Sequence, residues 1–155
     1  MKAVRVSRVD SEYIISEKLN IPTETVRKVL RGYVMYVQGK IRNGESTNIL
    51  RICRLEVPEY SGEMETLAYV CTELADQLEV SKEVVKGILF YYEDCIVRDT
   101  RKYYSTVING LLQLELVEYF EGRMKVRIRV SRALREGVDM HASVSRVFKR
   151  KVETG

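Results

Sequence analysis

The chain aligns with itself without a gap. At an offset of 59 residues, positions 16–57 lie over positions 75–116, and eleven of those 42 pairs are identical. They are Leu19/Leu78, Glu24/Glu83, Val26/Val85, Leu30/Leu89, Tyr33/Tyr92, Arg42/Arg101, Ser46/Ser105, Thr47/Thr106, Ile49/Ile108, Leu55/Leu114 and Glu56/Glu115. Several other pairs exchange like for like, as in Ile21/Val80, Arg27/Lys86, Val29/Ile88 and Val37/Ile96. A repeat of this length is one supersecondary unit used twice, so the fold must place two copies of the same local structure.

Each copy reads as helix, turn, longer helix, strand. In the first, a short helix covers about Ser11 to Leu19 and Asn20-Ile21-Pro22 breaks it. Pro22 or Thr23 then opens the next helix, since proline is tolerated in a first turn. Val26, Val29, Leu30, Tyr33, Val37 and Ile41 recur at steps of three and four, which gives one buried face. Asn43-Gly44 is a left-handed stop, and a strand is expected over Ile49 to Val57. The second copy repeats this with a helix over Met64 to Leu78, Ser81 as N-cap, a helix from Lys82 to about Thr100 and a strand over Val107 to Phe120. The Asn-Gly stop is replaced there by Arg101-Lys102-Tyr103-Tyr104. Glu121-Gly122 is a turn signal that makes a hairpin of strands 107–120 and 123–130. Val4 to Val9, which is similar to Ile128 to Ala133, is expected as a further amphipathic strand. The reading is an α+β fold with a first unit over 1–60, a second unit with its hairpin over 61–140, and a basic C-terminal tail over 141–155.

The charge is concentrated. Residues 123–151 carry ten Lys or Arg against Glu136 and Asp139, a net +8, which leaves net −4 for the rest of a chain of net +4. Arg123, Lys125, Arg127 and Arg129 alternate with Met124, Val126, Ile128 and Val130. Period two puts the cations on one face of a strand, about 6.6–6.8 Å apart, and the apolar residues on the other. Such a strip suits the phosphates of a polyanion or an acidic protein, and it also describes a strand whose basic side chains face water. With 45% hydrophobic residues the chain can bury a core, which excludes wholesale disorder. No apolar run approaches the roughly 20 residues of a membrane span, and the N-terminus lacks the apolar stretch of a signal peptide.

Catalytic and metal-binding patterns are missing. Cys53, Cys71 and Cys95 are widely spaced, and His141 is the single histidine, so no Cys/His zinc set can be assembled. Cys71 and Cys95 fall among apolar residues and read as small core residues. There is no P-loop, GxSxG or GxGxxG, and neighbouring acids such as Glu93 and Asp94 point apart on a helix. The expectation is a protein that is not an enzyme and takes no cofactor or metal.

Two resemblances bear on function. ISEKLNIPTETVRKVL and LADQLEVSKEVVKGIL look like the helix-turn-helix of a transcription regulator, although Glu24 would face a polyanion badly. More of the chain resembles the HU/IHF family of bacterial histone-like proteins, in two tandem half-units. EKLNIP, VRKVL, RNGES and RLEV in the first copy, with DQLEVS, VKGIL and LELVEYF in the second, are similar to that family's short helix, turn, long helix, glycine-containing stop and strand. The resemblance implies two α-α-β units folding as a covalent pseudo-dimer, a helical layer against small antiparallel sheets, with 131–140 matching the family's short C-terminal helix. Whether the units pair within one chain or between chains stays open. The family's long DNA-wrapping arms and proline tip have no counterpart, since Pro22 and Pro58 are the only prolines.

A duplicated core without arms points to a structural protein that assembles with protein neighbours and carries a basic face near nucleic acid. The HU/IHF-like proteins of some tailed phages are similar in outline, which implies a ring or connector at a virion neck as one setting and the cytoplasm as the other. Alternatives are a nucleoid-type protein binding double-stranded DNA through nonspecific phosphate contacts, and a transcription regulator. Candidate contact residues are Arg123, Lys125, Arg127, Arg129, Arg132, Arg146, Lys149, Arg150 and Lys151. Tyr103, Tyr104, Tyr119 and Phe148 are candidates for either interface anchors or core. No membrane contact is expected.

Overall fold

The apolar spacing of the two long helices is realised as two buried faces. A computed structural model describes residues 8–153, with side chains from Ser11 onward. Helix α1 (Arg8–Leu19) is followed by α2 (Thr23–Arg42), and α3 (Leu67–Leu78) by α4 (Lys82–Tyr103). Val26, Val29, Leu30, Tyr33, Val34, Val37 and Ile41 are buried on α2, and Val85, Ile88, Leu89, Tyr92, Cys95 and Ile96 on α4. The offset of 59 extends beyond the sequence alignment, because α1 and α3 coincide end to end under it and α2 and α4 start together. The stops coincide too. Asn20 (φ 53°) and Glu79 (φ 55°) are both left-handed, and the following N–H, of Ile21 or Val80, bonds back to Ser16 O at 3.2 Å or Ala75 O at 3.1 Å.

Local chemistry sets the helix ends. Ser81 Oγ accepts the Val84 N–H at 3.2 Å, as expected of an N-cap, while Pro22 at the equivalent position makes no side-chain cap. Helix α3 starts at Leu67 rather than Met64 because Thr66 Oγ1 accepts the Tyr69 N–H at 3.1 Å. Gly44 is left-handed (φ 74°) after α2. Helix α4 runs on to Tyr103, where Tyr104 (φ 63°) closes it in glycine's place.

The strand readings need correction. The single strand expected over Ile49 to Val57 is a hairpin, β1 (Thr47–Ile49) and β2 (Cys53–Glu56), and the one expected over Val107 to Phe120 is another, β3 (Ser105–Ile108) and β4 (Leu112–Phe120). Both turn at the same place, with Ile52 N–H on Ile49 O and Leu111 N–H on Ile108 O. The first turn is built from Leu50, Arg51 and Ile52, with Leu50 at φ 50°. It carries no polar signal because Leu50 and Ile52 are buried, and the Leu50 N–H bonds to the Tyr33 hydroxyl oxygen at 2.7 Å. The β4–β5 hairpin is as expected. Strand β5 (Arg123–Val130) is antiparallel to β4, with a turn at Glu121 and Gly122 and a bulge at Tyr119. Helix α5 (Arg132–Arg135) follows.

The segment expected as a basic tail is folded. Strand β6 (His141–Val144) pairs antiparallel with β2, and α6 (Arg146–Glu153) buries Phe148 and Val152 one turn apart. Burying Phe148 contributes about 1.5–3 kcal/mol relative to leaving it exposed, so this aromatic belongs to the core and not to an interface. Two three-stranded sheets result, in the orders β1-β2-β6 and β3-β4-β5, with β5 and β6 lying against each other. Of the strand expected over Val4 to Val9, residues up to Ser7 lie outside the described residues, and Arg8 and Val9 belong to α1.

The last elements carry a second repeat, in a different frame. Val130-Ser131-Arg132 and Val144-Ser145-Arg146 hold equivalent places, since Val130 pairs with Leu112 and Val144 with Cys53, its partner at offset 59. Ser131 N–H bonds to Leu111 O and Ser145 N–H to Ile52 O, both at 2.8 Å. Ser131 Oγ donates to Gly110 O at 3.3 Å and Ser145 Oγ to Arg51 O at 2.5 Å. Each serine then caps its helix by accepting the N–H of a buried residue, Leu134 or Phe148. The halves also interlock through α1 and α3, because Leu19 lies on Gly87 of α4 and Leu78 on Gly32 of α2.

Candidate functional site

Strand β5 presents its cations as the alternation requires. Arg123, Lys125, Arg127 and Arg129 are exposed, Val126 is buried and Met124, Ile128 and Val130 are half-buried. On the outer face β4 sets Gln113 opposite Arg129, Glu115 opposite Arg127 and Val117 opposite Lys125. The Glu115 carboxylate lies 3.7 Å from both Arg127 Nη2 and Arg129 Nη2, so one anion is shared by two guanidiniums. Arg123 and Lys125 have no ion-pair partner among the described residues. Exposed pairs of this kind hold their side chains weakly.

The hairpin that carries the strip ends in exposed aromatics. Tyr119 is 58% and Phe120 60% accessible, beside the Glu121-Gly122 turn. The outer edge of β5 is closed elsewhere, where Glu153 Oε2 accepts the Val126 N–H at 2.7 Å. That bond joins α6 to the strand and blunts an edge that could otherwise pair with another chain.

The remaining candidates divide between two helices. Arg132 is exposed on α5, and Arg146 and Arg150 are exposed on α6 with Lys149 half-buried. Lys151 Nζ is 3.6 Å from the buried Glu93 carboxylate, so it serves the core rather than the strip. Glu93 also accepts Arg51 through its backbone N–H at 2.9 Å, Nε at 3.1 Å and Nη2 at 2.7 Å. The structure brings Arg129 and Arg132 together with Arg135 around one recess. Arg135 is a residue that sequence reasoning did not select. The signal was the three-residue step from Arg132 on a helix of known position.

A groove of about 540 Å³ lies between α3 and α4, floored by Leu67, Cys71 and Leu89 and flanked by Lys86 and Phe90. The equivalent place in the first unit is closed by an ion pair, Arg27 Nε to Glu12 Oε2 at 3.1 Å, where the second unit has Lys86 and Cys71. All three cysteines are free and buried. Burial pushes the Cys53 thiol up to about 12 and raises those of Cys71 and Cys95, so the thiolate is scarce near neutral pH. No group of three His, Cys, Asp or Glu among the described residues is placed to hold a metal ion, and no described helix is long and apolar enough to cross a membrane. Comparison of the chain with family models, curated proteins and solved structures finds no match.

Proposed function

We propose that this chain is a non-enzymatic architectural protein. It is a single-chain form of an HU/IHF-like core that takes its place in an assembly, in the cytoplasm or a virion, and turns the outer face of β5 toward nucleic-acid phosphates. The observation that carries this reading is the exposed row Arg123, Lys125, Arg127 and Arg129, whose one ion-pair partner among the described residues is Glu115. Phosphate contacts from such a row give affinity that tolerates sequence and falls with salt, with a slope of log affinity on log salt of about −0.9 per neutralised phosphate. Three or four engaged cations therefore imply a slope of about −3 to −4 on duplex DNA. The test is that slope for the wild type and for R123Q/K125Q/R127Q/R129Q, whose positions are exposed and tolerate the change. A flat wild-type slope, or a slope the variant shares, sinks the reading.

A second reading is favoured by the hairpin tip, where Tyr119 and Phe120 stand exposed together. Aromatics of this size at a projecting end suit a protein neighbour. Light scattering of Y119S/F120S against wild type separates the two, because loss of an oligomer without loss of DNA affinity assigns the tip to assembly and β5 to nucleic acid.

A further inference from the structure

We propose that the recess at the C-terminal end of β5 binds a dianionic phosphate group, either a terminal monoester or the free ion. The recess has a volume of about 310 Å³, and Arg129, Arg132 and Arg135 line it together with Gln113 and the Asn109-Gly110 turn. No carboxylate lines it. Glu115 reaches Arg129 at 3.7 Å, while Arg132 and Arg135 have no ion-pair partner among the described residues. Asp139 lines the adjoining recess, with Arg129 and Arg135. A phosphate monoester carries about −1.5 to −2 at neutral pH and three acceptor oxygens, which matches three forked guanidiniums set against one shared carboxylate.

Two features make the corner more than a cluster of surface arginines. It is held rigidly, because Ser131 ties α5 to the β3–β4 turn through Leu111 O and Gly110 O, and Gln38 Nε2 of α2 donates to the same Gly110 O at 3.1 Å. These bonds fix the backbone that carries Arg132 and Arg135, so binding has only their side chains left to order. The basic pair of α5 also recurs, although Ser143 holds the place of Arg129. In the first unit Arg146 and Lys149 hold the places of Arg132 and Arg135 behind the equivalent Ser145, and Arg54 holds that of Gln113. The turn beneath differs completely between the units, Arg51 against Gly110, yet the basic pair above it is kept.

The phosphate has two sources, the terminal phosphate of a nucleic-acid strand or free phosphate. The first rests on the nucleic-acid reading of β5 and the second does not. The experiment is calorimetric titration of wild type and R132Q/R135Q with inorganic phosphate, and with one duplex carrying 5′-phosphate or 5′-hydroxyl ends. Both arginines are exposed, and circular dichroism checks that the variant is folded. Wild type is expected to bind phosphate at least about tenfold more tightly than the variant, the loss of two charge-assisted contacts. A similar preference for the 5′-phosphate duplex, abolished in the variant, identifies a strand end as the source. Phosphate binding without that preference identifies free phosphate. Wild type that ignores both phosphate and the duplex end overturns the site, even if the duplex itself binds and the β5 reading stands. Phosphate binding unchanged in R132Q/R135Q overturns it equally. Phosphate bound with no duplex binding supports the site and removes the β5 reading instead.

Discussion

The turn of each β-hairpin crosses onto the long helix of the other half, and the two crossings use different chemistry. In one, Arg51 reaches the buried Glu93 on α4 through three donors, and Lys151 approaches the same carboxylate from α6. In the other, Gly110 (φ 84°) lies against Val34 and Gln38 of α2, and Gln38 donates to its carbonyl. Arg51 and Gly110 are equivalent under the offset of 59, and so are Glu93 and Val34. The paired strands are doubled but the turns are not, since the left-handed residue is Leu50 in one and Gly110 in the other, one position further along. Each crossing is closed above by a capping serine, and the serines are what the halves share. A charged lock in one half and a close neutral approach in the other are two solutions to the same requirement, that an inward-facing turn leave no buried polar group without a partner.

Breaking the charged lock has the largest expected effect. Glu93→Ala leaves the Arg51 N–H without its acceptor and removes the partner of a guanidinium. Because the Arg51 side chain is half-exposed, water takes part of the load, and the cost falls near the lower end for broken buried pairs, about 2–3 kcal/mol. Urea denaturation checks it, and a loss under about 1 kcal/mol would show that Glu93 does not secure the turn. The comparison sharpens with Glu93→Val alone and in combination with Arg51→Gly, which installs the second half's chemistry in the first. The double variant is expected to be more stable than Glu93→Val, since it removes the cation that the single change strands.

Legibility followed the same division. Elements whose local signal agrees with their environment could be read directly, as with the faces of α2 and α4, the Ser81 cap, the Asn20 break and the alternation on β5. The first hairpin turn was hidden because Leu50 and Ile52 are buried, whereas the second, Asn109-Gly110, carries an exposed Asn-Gly signal that was read through as strand. Leu50 and Ile52 look like strand, and only the Tyr33 hydroxyl, distant in sequence, makes the left-handed Leu50 tenable. Strand β6 and α6 were missed because their repeat runs in another frame. A search at an offset of 14 would have set Val130-Ser131-Arg132 over Val144-Ser145-Arg146, with Leu134 over Phe148 as the buried fifth position. Of the candidate surface, the β5 row was visible in the sequence. The recess was not, since it needs Arg135, Gln113 and the Gly110 turn to be brought together by a tertiary contact.

The capping serines offer a direct measurement of how alike the halves are. Ser145→Ala removes a hydroxyl that donates to Arg51 O at 2.5 Å and accepts the Phe148 N–H at 3.1 Å. Ser131→Ala removes bonds of 3.3 Å at both ends. The first is expected to cost about 1–2 kcal/mol and the second about 1 kcal/mol or less, within the range for N-cap replacement. Equal costs in chemical denaturation would mean that the corners are energetically equivalent whatever their distances.

The smallest effect lies at the helix stops, where the halves agree in conformation and differ in residue. Asn20 and Glu79 share the left-handed region, which costs a residue with a Cβ about 1–2 kcal/mol but which asparagine visits routinely. Glu79 is exposed, so replacing it disturbs no packing. Glycine relieves the left-handed strain and adds freedom to the unfolded chain in partial compensation, so Glu79→Gly is expected to stabilise by about 0.5–1 kcal/mol. Asn20→Gly relieves much less and is expected to change little. Thermal midpoints of the two variants decide it. A rise for Glu79→Gly alone shows that the second half carries the strained stop. A fall for Glu79→Gly would mean that its carboxylate or stem supports the fold in a way its position on the surface hides.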